Sequence, residues 1–292
     1  MSETKAPNTH YDAVVTSADG VRHTVMLHPA VNVADGPKTT ILILPALGVS
    51  ARHYRALADA LATCGFDIMR VDWRATGGST LTVSPFTPDF GYTELLCADF
   101  PAWIGYAKQW RGDQPVVLFG HSLGAQLSAV YVGRHPDQAA GLVIVAAGTV
   151  HWRTWPDPWT LLAQTQLVAL VASALRYWPG RKLGFGGRQP RGLIRDWARS
   201  ARTGRYPLPS GEDAGATMGA YRGPVLVIRI SDDDYAPESA VADLVDRLSG
   251  AEQTRLVFAP ADFGAEQVGH FGWSKRSTPV VDAVARWWRS CR

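Results

Sequence analysis

Short apolar runs recur along the chain, each followed by a turn and then by a stretch whose apolar residues return every three or four positions. The runs Val25–Leu27, "TTILIL" (39–44), "FDIMRVD" (66–72), "PVVLFG" (115–120), "GLVIVAA" (141–147), "PVLVIRI" (224–230) and "TRLVFA" (254–259) read as strands. "ADGPK" (34–38) is turn material. Helical spacing appears in Tyr54, Leu57, Ala58 and Leu61, with Gly65 where that helix should stop. It appears again over 92–110, 123–135, 237–248 and 279–290. Strands that are apolar throughout, alternating with helices, predict an α/β fold with helices on both faces. The expected architecture is a mostly parallel, doubly wound sheet of about eight strands.

The rhythm breaks between Thr149 and Arg222, where no strand is legible. Trp152, Trp155, Trp159, Trp178 and Trp197 crowd this segment. Residues 161–175 form the longest apolar run, interrupted by Gln164, Thr165 and Gln166, and are too short and polar for a membrane span. They predict a helix with one strongly apolar face that either lines an acyl pocket or packs on the sheet, with packing expected for most of it. The expected organisation is a core of residues 1–148 and 223–292, with residues 149–222 a helical lid inserted after the sixth strand.

Composition narrows the function classes. The 292 residues carry a net charge of only +3, against a nucleic-acid-binding role for the chain as a whole. The charge is uneven, however. Between Arg176 and Arg205 stand nine basic residues and one acid, Asp196: either a solvated surface or a landing site for an anionic substrate, an acyl carrier or a membrane surface. Three scattered cysteines, Cys64, Cys97 and Cys291, fit neither a disulfide framework nor a metal site. With an N-terminus that lacks a signal-peptide core, they predict a reducing, cytoplasmic setting.

The chemistry centres on "GHSLG" (120–124), which follows a strand and opens a helix. That context makes the Gly-x-Ser-x-Gly motif a nucleophile turn. A tight bend lifts the Ser122 hydroxyl above the sheet. Side chains at Gly120 and Gly124 would collide with the neighbouring strand and helix. A serine hydroxyl needs a base, and the base an orienting acid. "SDDDYAP" (231–237), just past the carboxyl end of a strand, offers Asp232, Asp233 and Asp234 as the acid. Alternatively these carboxylates merely cap the following helix. Of eight histidines, only His270 lies in a loop after the last strand, about 37 residues beyond the acid. His151, Trp152, Trp155 and Trp159, where the insertion opens, are candidate substrate contacts.

The segment "PALGVSARHYRALADALATCGFDIMRVDWRATGGST" (45–80) resembles monoglyceride-lipase-like and serine-aminopeptidase-like members of the α/β-hydrolases. The resemblance runs from about Thr39 to the end, interrupted by the insertion. Residues 177–206 and "GHFGW" (269–273) are similar to a bacterial branch of predicted hydrolases whose substrates are largely unassigned. The resemblance implies Asp233, four residues before Pro237, as the favoured acid, with Asp232 and Asp234 behind it. It implies an oxyanion hole from the backbone N–H groups of Leu123 and Leu47, although Pro45-Ala46 stand where many relatives carry His-Gly. It gives Asp72, Arg74, Gly77 and Ser79 a structural part. It implies ester, thioester or amide hydrolysis of a small-molecule acyl substrate without a cofactor. The favoured expectation is a serine hydrolase acting on a carboxylic ester or thioester. An acyltransferase or cyclase using the same triad, or a non-catalytic ligand-binding relative, are the alternatives.

Overall fold

The computed structural model describes residues 10–31, 38–112 and 114–291. Residues 1–9 of the polar N-terminus and residues 34–37 of the predicted turn lie outside them. Ten strands occur among the described residues: β1 (Tyr11–Thr16), β2 (Arg22–His28), β3 (Thr40–Leu44), β4 (Asp67–Val71), β5 (Val116–His121), β6 (Gly141–Val145), β7 (Tyr177–Pro179), β8 (Arg188–Pro190), β9 (Val225–Ile230) and β10 (Gln253–Phe258). Eight of them form one sheet in the order β1-β2-β4-β3-β5-β6-β9-β10. The β1–β2 and β2–β4 pairs are antiparallel, and the remaining pairs are parallel.

Every residue of β3, β4, β5 and β6 is buried, which is why these strands read as predominantly apolar runs, broken in β4 by Asp67 and Arg70. Alternate residues feed two cores. Leu42, Leu44, Leu118 and Leu142 face the side covered by α2 (Phe100–Arg111) and α3 (Leu123–Arg134). Ile41, Ile43, Val117 and Phe119 face the side covered by α1 (Arg55–Thr63) and α7 (Thr278–Ser290). Gly65 (φ +89°) ends α1 as its position predicts.

β1 escapes the sequence pattern because it is an edge strand. Of its six residues only Val15 is buried, so no alternation shows, and backbone pairing to β2 holds it. The helix expected over 92–110 is interrupted by a wide turn at Leu95–Asp99. Asp99 is buried there, accepting hydrogen bonds from Arg74 Nε (2.8 Å) and Ser17 Oγ (2.7 Å). Asp72 Oδ1 accepts from the N–H of Ala51 (2.7 Å). Arg74 and Asp72 therefore tie loops together, the structural part expected of that motif.

Between β6 and β9 the chain builds α4 (Pro158–Leu175) and α5 (Arg191–Thr203), with the antiparallel β7–β8 pair between them. That pair corrects the expectation of a strandless segment. Each strand has three residues and ends on a proline, too short for a period to register. The expectation that α4 mostly packs away is also overturned. Trp159, Leu167 and Leu170 are 69%, 60% and 67% exposed, and only Thr165 and Ala172 of this helix are buried. Apolar side chains surround the helix rather than forming one stripe. It starts at Pro158, earlier than the apolar run, behind Asp157, whose carboxylate accepts the Thr160 N–H (3.3 Å). With 18 residues and a mean hydropathy of 1.3 it meets the length and composition of a membrane span. Gln166 Nε2, however, donates to Ala198 O (2.9 Å), joining α4 to α5.

Two buried histidines give the fold a pH dependence. Arg70 Nε donates to His28 Nε2 (2.9 Å), and His28 Nδ1 donates to Asp59 Oδ1 (2.8 Å). A guanidinium only donates, so this geometry requires neutral His28. Burial and the adjacent Arg70 charge lower its pKa to about 4. Burial also holds His121 well below the usual histidine range. Unfolding frees both to bind protons, so stability is full above the ordinary histidine pKa of about 6.5 and falls as pH drops toward 4. Urea titrations at pH 7 and pH 5 are expected to differ by about 2 kcal/mol or more, with pH 7 the more stable. Equal midpoints would contradict this assignment.

Candidate active site

β5 ends at His121 and α3 begins at Leu123, so the strand-to-helix turn is a single residue, Ser122. Its φ of +54° and ψ of −117° lie where a side chain is strained. Ser122 N donates to Val145 O (3.2 Å), and Ser122 O accepts from the N–H groups of Ala125 and Gln126 (3.0 and 3.1 Å). A Cβ on Gly120 would strike the Ala125 backbone, and one on Gly124 the carbonyls of Leu44 and Pro45. The two glycines allow helix and strand ends to approach closely enough to force the bend.

β9 ends at Ile230 and delivers the three aspartates. Asp233 is buried, and its Oδ2 lies 2.8 Å from His270 Nδ1. Its Oδ1 accepts the N–H of Tyr235 (2.8 Å), which fixes the carboxylate plane. Asp234 is exposed. Asp232 does something else: its Oδ2 accepts the N–H groups of Val268 (2.8 Å) and Gly269 (3.1 Å), clamping the loop that carries His270. None of the three caps the following helix α6 (Glu238–Asp246), whose N-cap is Pro237. With Nδ1–H donated to the Asp233 carboxylate, Nε2 is the ring nitrogen left to accept a proton.

His270 is also buried, and its ring packs 4.8 Å from the ring of His121, the residue before Ser122. The structure thus brings Asp233 and His270 together beside the Ser122 turn. Among the described residues, Ser122 Oγ and His270 are not hydrogen-bonded. Such contacts are often long without substrate and tighten when it binds.

Two loops contribute the candidate oxyanion donors. Tyr54 Oη accepts the Ala46 N–H (3.0 Å) and also meets His121 Nδ1 (2.7 Å). The Tyr54 side chain therefore joins the loop after β3 to the strand that ends at Ser122. Among the described residues the N–H groups of Leu47 and Leu123 have no protein acceptor, which leaves them available for a developing negative charge. The Leu47 side chain packs against the cluster of Ala172, Trp178 and Ile194 in the insertion, and the next residue, Gly48, touches the backbone of Gly186 and Gly187 so closely that a Cβ there could not fit.

His151, Trp152, Trp155 and Trp159 lie where the insertion opens, just after β6. Trp155 Nε1 donates to Thr149 O (3.0 Å), the Trp152 and Trp159 rings meet at a tilt of 47° with centres 4.6 Å apart, and Ser239 Oγ of α6 donates to Thr154 O (2.5 Å). No hydrogen bond or ring contact joins the four to Ser122, Asp233 or His270 among the described residues. Sequence reasoning missed Tyr235 and Phe271, both half exposed, whose rings flank His270 at 5.3 and 4.7 Å. Their only signal was adjacency to the acid and the base. The described residues contain no cluster suited to a metal ion.

The chain matches the family model described as serine aminopeptidase S33 over residues 35–261. No curated protein sequence matches it. Among solved structures it is similar to a soluble variant of monoglyceride lipase from Saccharomyces cerevisiae in complex with a substrate analogue, with 14% identity, TM-score 0.72 and 94% of each chain covered. It is similar to Est1E from Butyrivibrio proteoclasticus with ferulic acid bound, with 15% identity, TM-score 0.63 and 96% of this chain and 99% of that one covered. A monoacylglycerol lipase from Paleococcus ferrophilus gives 16% identity and TM-score 0.62, with 92% and 99% covered. At these identities the structural likeness speaks for the fold, and the family match spans most of the chain. The chain belongs to the serine aminopeptidase S33 family of α/β-hydrolases.

Proposed function

We propose that the chain is a serine hydrolase that cleaves a carboxylic ester or thioester through an acyl-enzyme on Ser122. The observation that carries this is the buried Asp233–His270 hydrogen bond, 2.8 Å long, beside the strained turn that presents Ser122. Ser122 Oγ attacks the carbonyl carbon as its proton passes to His270 Nε2. Asp233 holds the imidazole by Nδ1 and stabilises the imidazolium. The N–H groups of Leu47 and Leu123 receive the oxyanion. The tetrahedral intermediate collapses, the C–O or C–S bond breaks, and His270 returns the proton to the leaving alcohol or thiol. Water, activated by the same imidazole, releases the acid.

A fluorophosphonate probe followed by peptide mapping tests the reading. It is expected to label Ser122 stoichiometrically, and prior incubation with p-nitrophenyl butyrate is expected to slow labelling. Absence of adduct, in protein that also fails to hydrolyse p-nitrophenyl esters, would reject it.

A further inference from the structure

A cavity of about 1180 Å³ opens against the loop that carries Leu47. Gly48 and Ser50 form part of one wall, Gly187 and Gln189 of the insertion another, and Thr24 and Met26 of β2 part of the floor. Ser122, Asp233 and His270 do not line it. Five arginines do: Arg52, Arg55 and Arg70 from the core, and Arg181 and Arg188 from the insertion. Only two carboxylates face them, Asp12 and Asp72, and Asp72 Oδ1 already accepts the Ala51 N–H.

The arginines are poorly neutralised. Among the described residues no carboxylate lies within 4 Å of Arg52, Arg70, Arg181 or Arg188; Arg55 has Asp59 at 3.7 Å. Arg70 is the most telling. It is 2% exposed, donates Nε to His28 and Nη1 to Ala51 O, and among the described residues makes no hydrogen bond through Nη2. A buried guanidinium without an anion is costly, and its planar fork suits two oxygens of a phosphate. Arg188 is held by its guanidinium over the Tyr177 ring, 4.4 Å from the centroid. The space exceeds that of ordinary small-molecule sites, about 300–1,000 Å³, so it admits a group of nucleotide size.

We infer that this cavity binds a phosphate ester or pyrophosphate carried on the leaving group of the acyl substrate. The placement beside the candidate oxyanion loop ties it to the serine-hydrolase reading, on which the assignment to the leaving group rests; the anion site itself does not need that reading. Acyl transfer to Ser122 would release an alcohol or thiol, protonated by His270, with its phosphate still among the arginines. A coenzyme-A-type thioester and an acylated glycerol phosphate share this chemistry.

Calorimetry on Ser122→Ala protein, titrated separately with free coenzyme A, glycerol 3-phosphate and inorganic pyrophosphate, tests the site without turnover. At least one probe is expected to bind, and raising salt from 50 to 200 mM is expected to weaken it. The exposed pair Arg52→Glu/Arg188→Glu, added to the same protein, is expected to weaken it at least tenfold with an unchanged melting temperature. Coenzyme A binding well above glycerol 3-phosphate would identify a thioester source, and the reverse a phosphorylated glycerol. In the Ser122 protein, the same pair should lower the ratio of kcat/KM for the phosphorylated over the plain acyl substrate at least tenfold. No binding of any probe at millimolar concentration, or equal binding by the arginine-pair protein, would overturn the inference. Binding that passes these tests in a protein that turns over no ester would instead overturn the hydrolase reading and keep the anion site.

Discussion

Ser122→Ala is expected to lower kcat for p-nitrophenyl butyrate on the order of 10⁵-fold while the protein melts at the wild-type temperature. The loss is large because the substitution removes the atom that becomes the acyl carrier. What remains is binding and any help from the Leu47 and Leu123 N–H groups. The unchanged melting temperature follows from the backbone. Alanine carries the same Cβ as serine, so the cost of holding φ at +54° and ψ at −117° persists. Ser122→Gly separates the two effects. It is expected to be equally inactive and more stable, by about 1 kcal/mol, because glycine relieves a strain that costs roughly 1–3 kcal/mol, less its own larger unfolded-state entropy. Calorimetric melting of the three proteins reads this directly. A Ser122→Gly protein less stable than Ser122→Ala would show that the turn is not strained.

The second large effect discriminates between neighbouring carboxylates. Asp233→Asn is expected to lower kcat about 10³–10⁴-fold, since an amide facing Nδ1 favours the wrong imidazole tautomer and withdraws the charge that supports the imidazolium. Asp232→Asn is expected to cost less than tenfold. Its amide oxygen can still accept the Val268 and Gly269 N–H groups that hold the His270 loop. Asp232→Ala removes that acceptor and is expected to reduce both kcat and melting temperature. Comparable kcat losses in Asp232→Asn and Asp233→Asn would contradict the division between orienting the imidazole and holding its loop.

The central parallel strands were legible because burial on both faces fills them mostly with apolar residues, and β10, at the far edge of the sheet, was legible from Leu256, Val257 and Phe258 despite its exposure. β1 was not, because pairing rather than burial holds an edge strand. Gly120, Ser122 and Gly124 could be read together because a tight strand-to-helix turn demands small residues at fixed spacing. The sequence placed three carboxylates at the mouth of β9 and ranked Asp233 first on resemblance. Only coordinates separate its contact with Nδ1 from the contacts of Asp232 with the Val268 loop. The network from Tyr54 to Ala46 and His121 joins residues distant in the chain through side-chain atoms, and no spacing rule announces it. The exposure of α4 was hidden for a different reason. An apolar helix writes the same pattern whether its leucines face a core or water.

The close passage of Gly48 against Gly186 and Gly187 makes the insertion something other than a free flap. Two backbones meet there with no side chain between them to cushion relative travel. Leu47 packs on the same insertion, against the cluster formed by Ala172, Trp178 and Ile194. On the proposed mechanism Leu47 donates to the oxyanion, so a displacement of the β7–β8 hairpin would be expected to alter the rate of the chemical step and not only the entry of substrate.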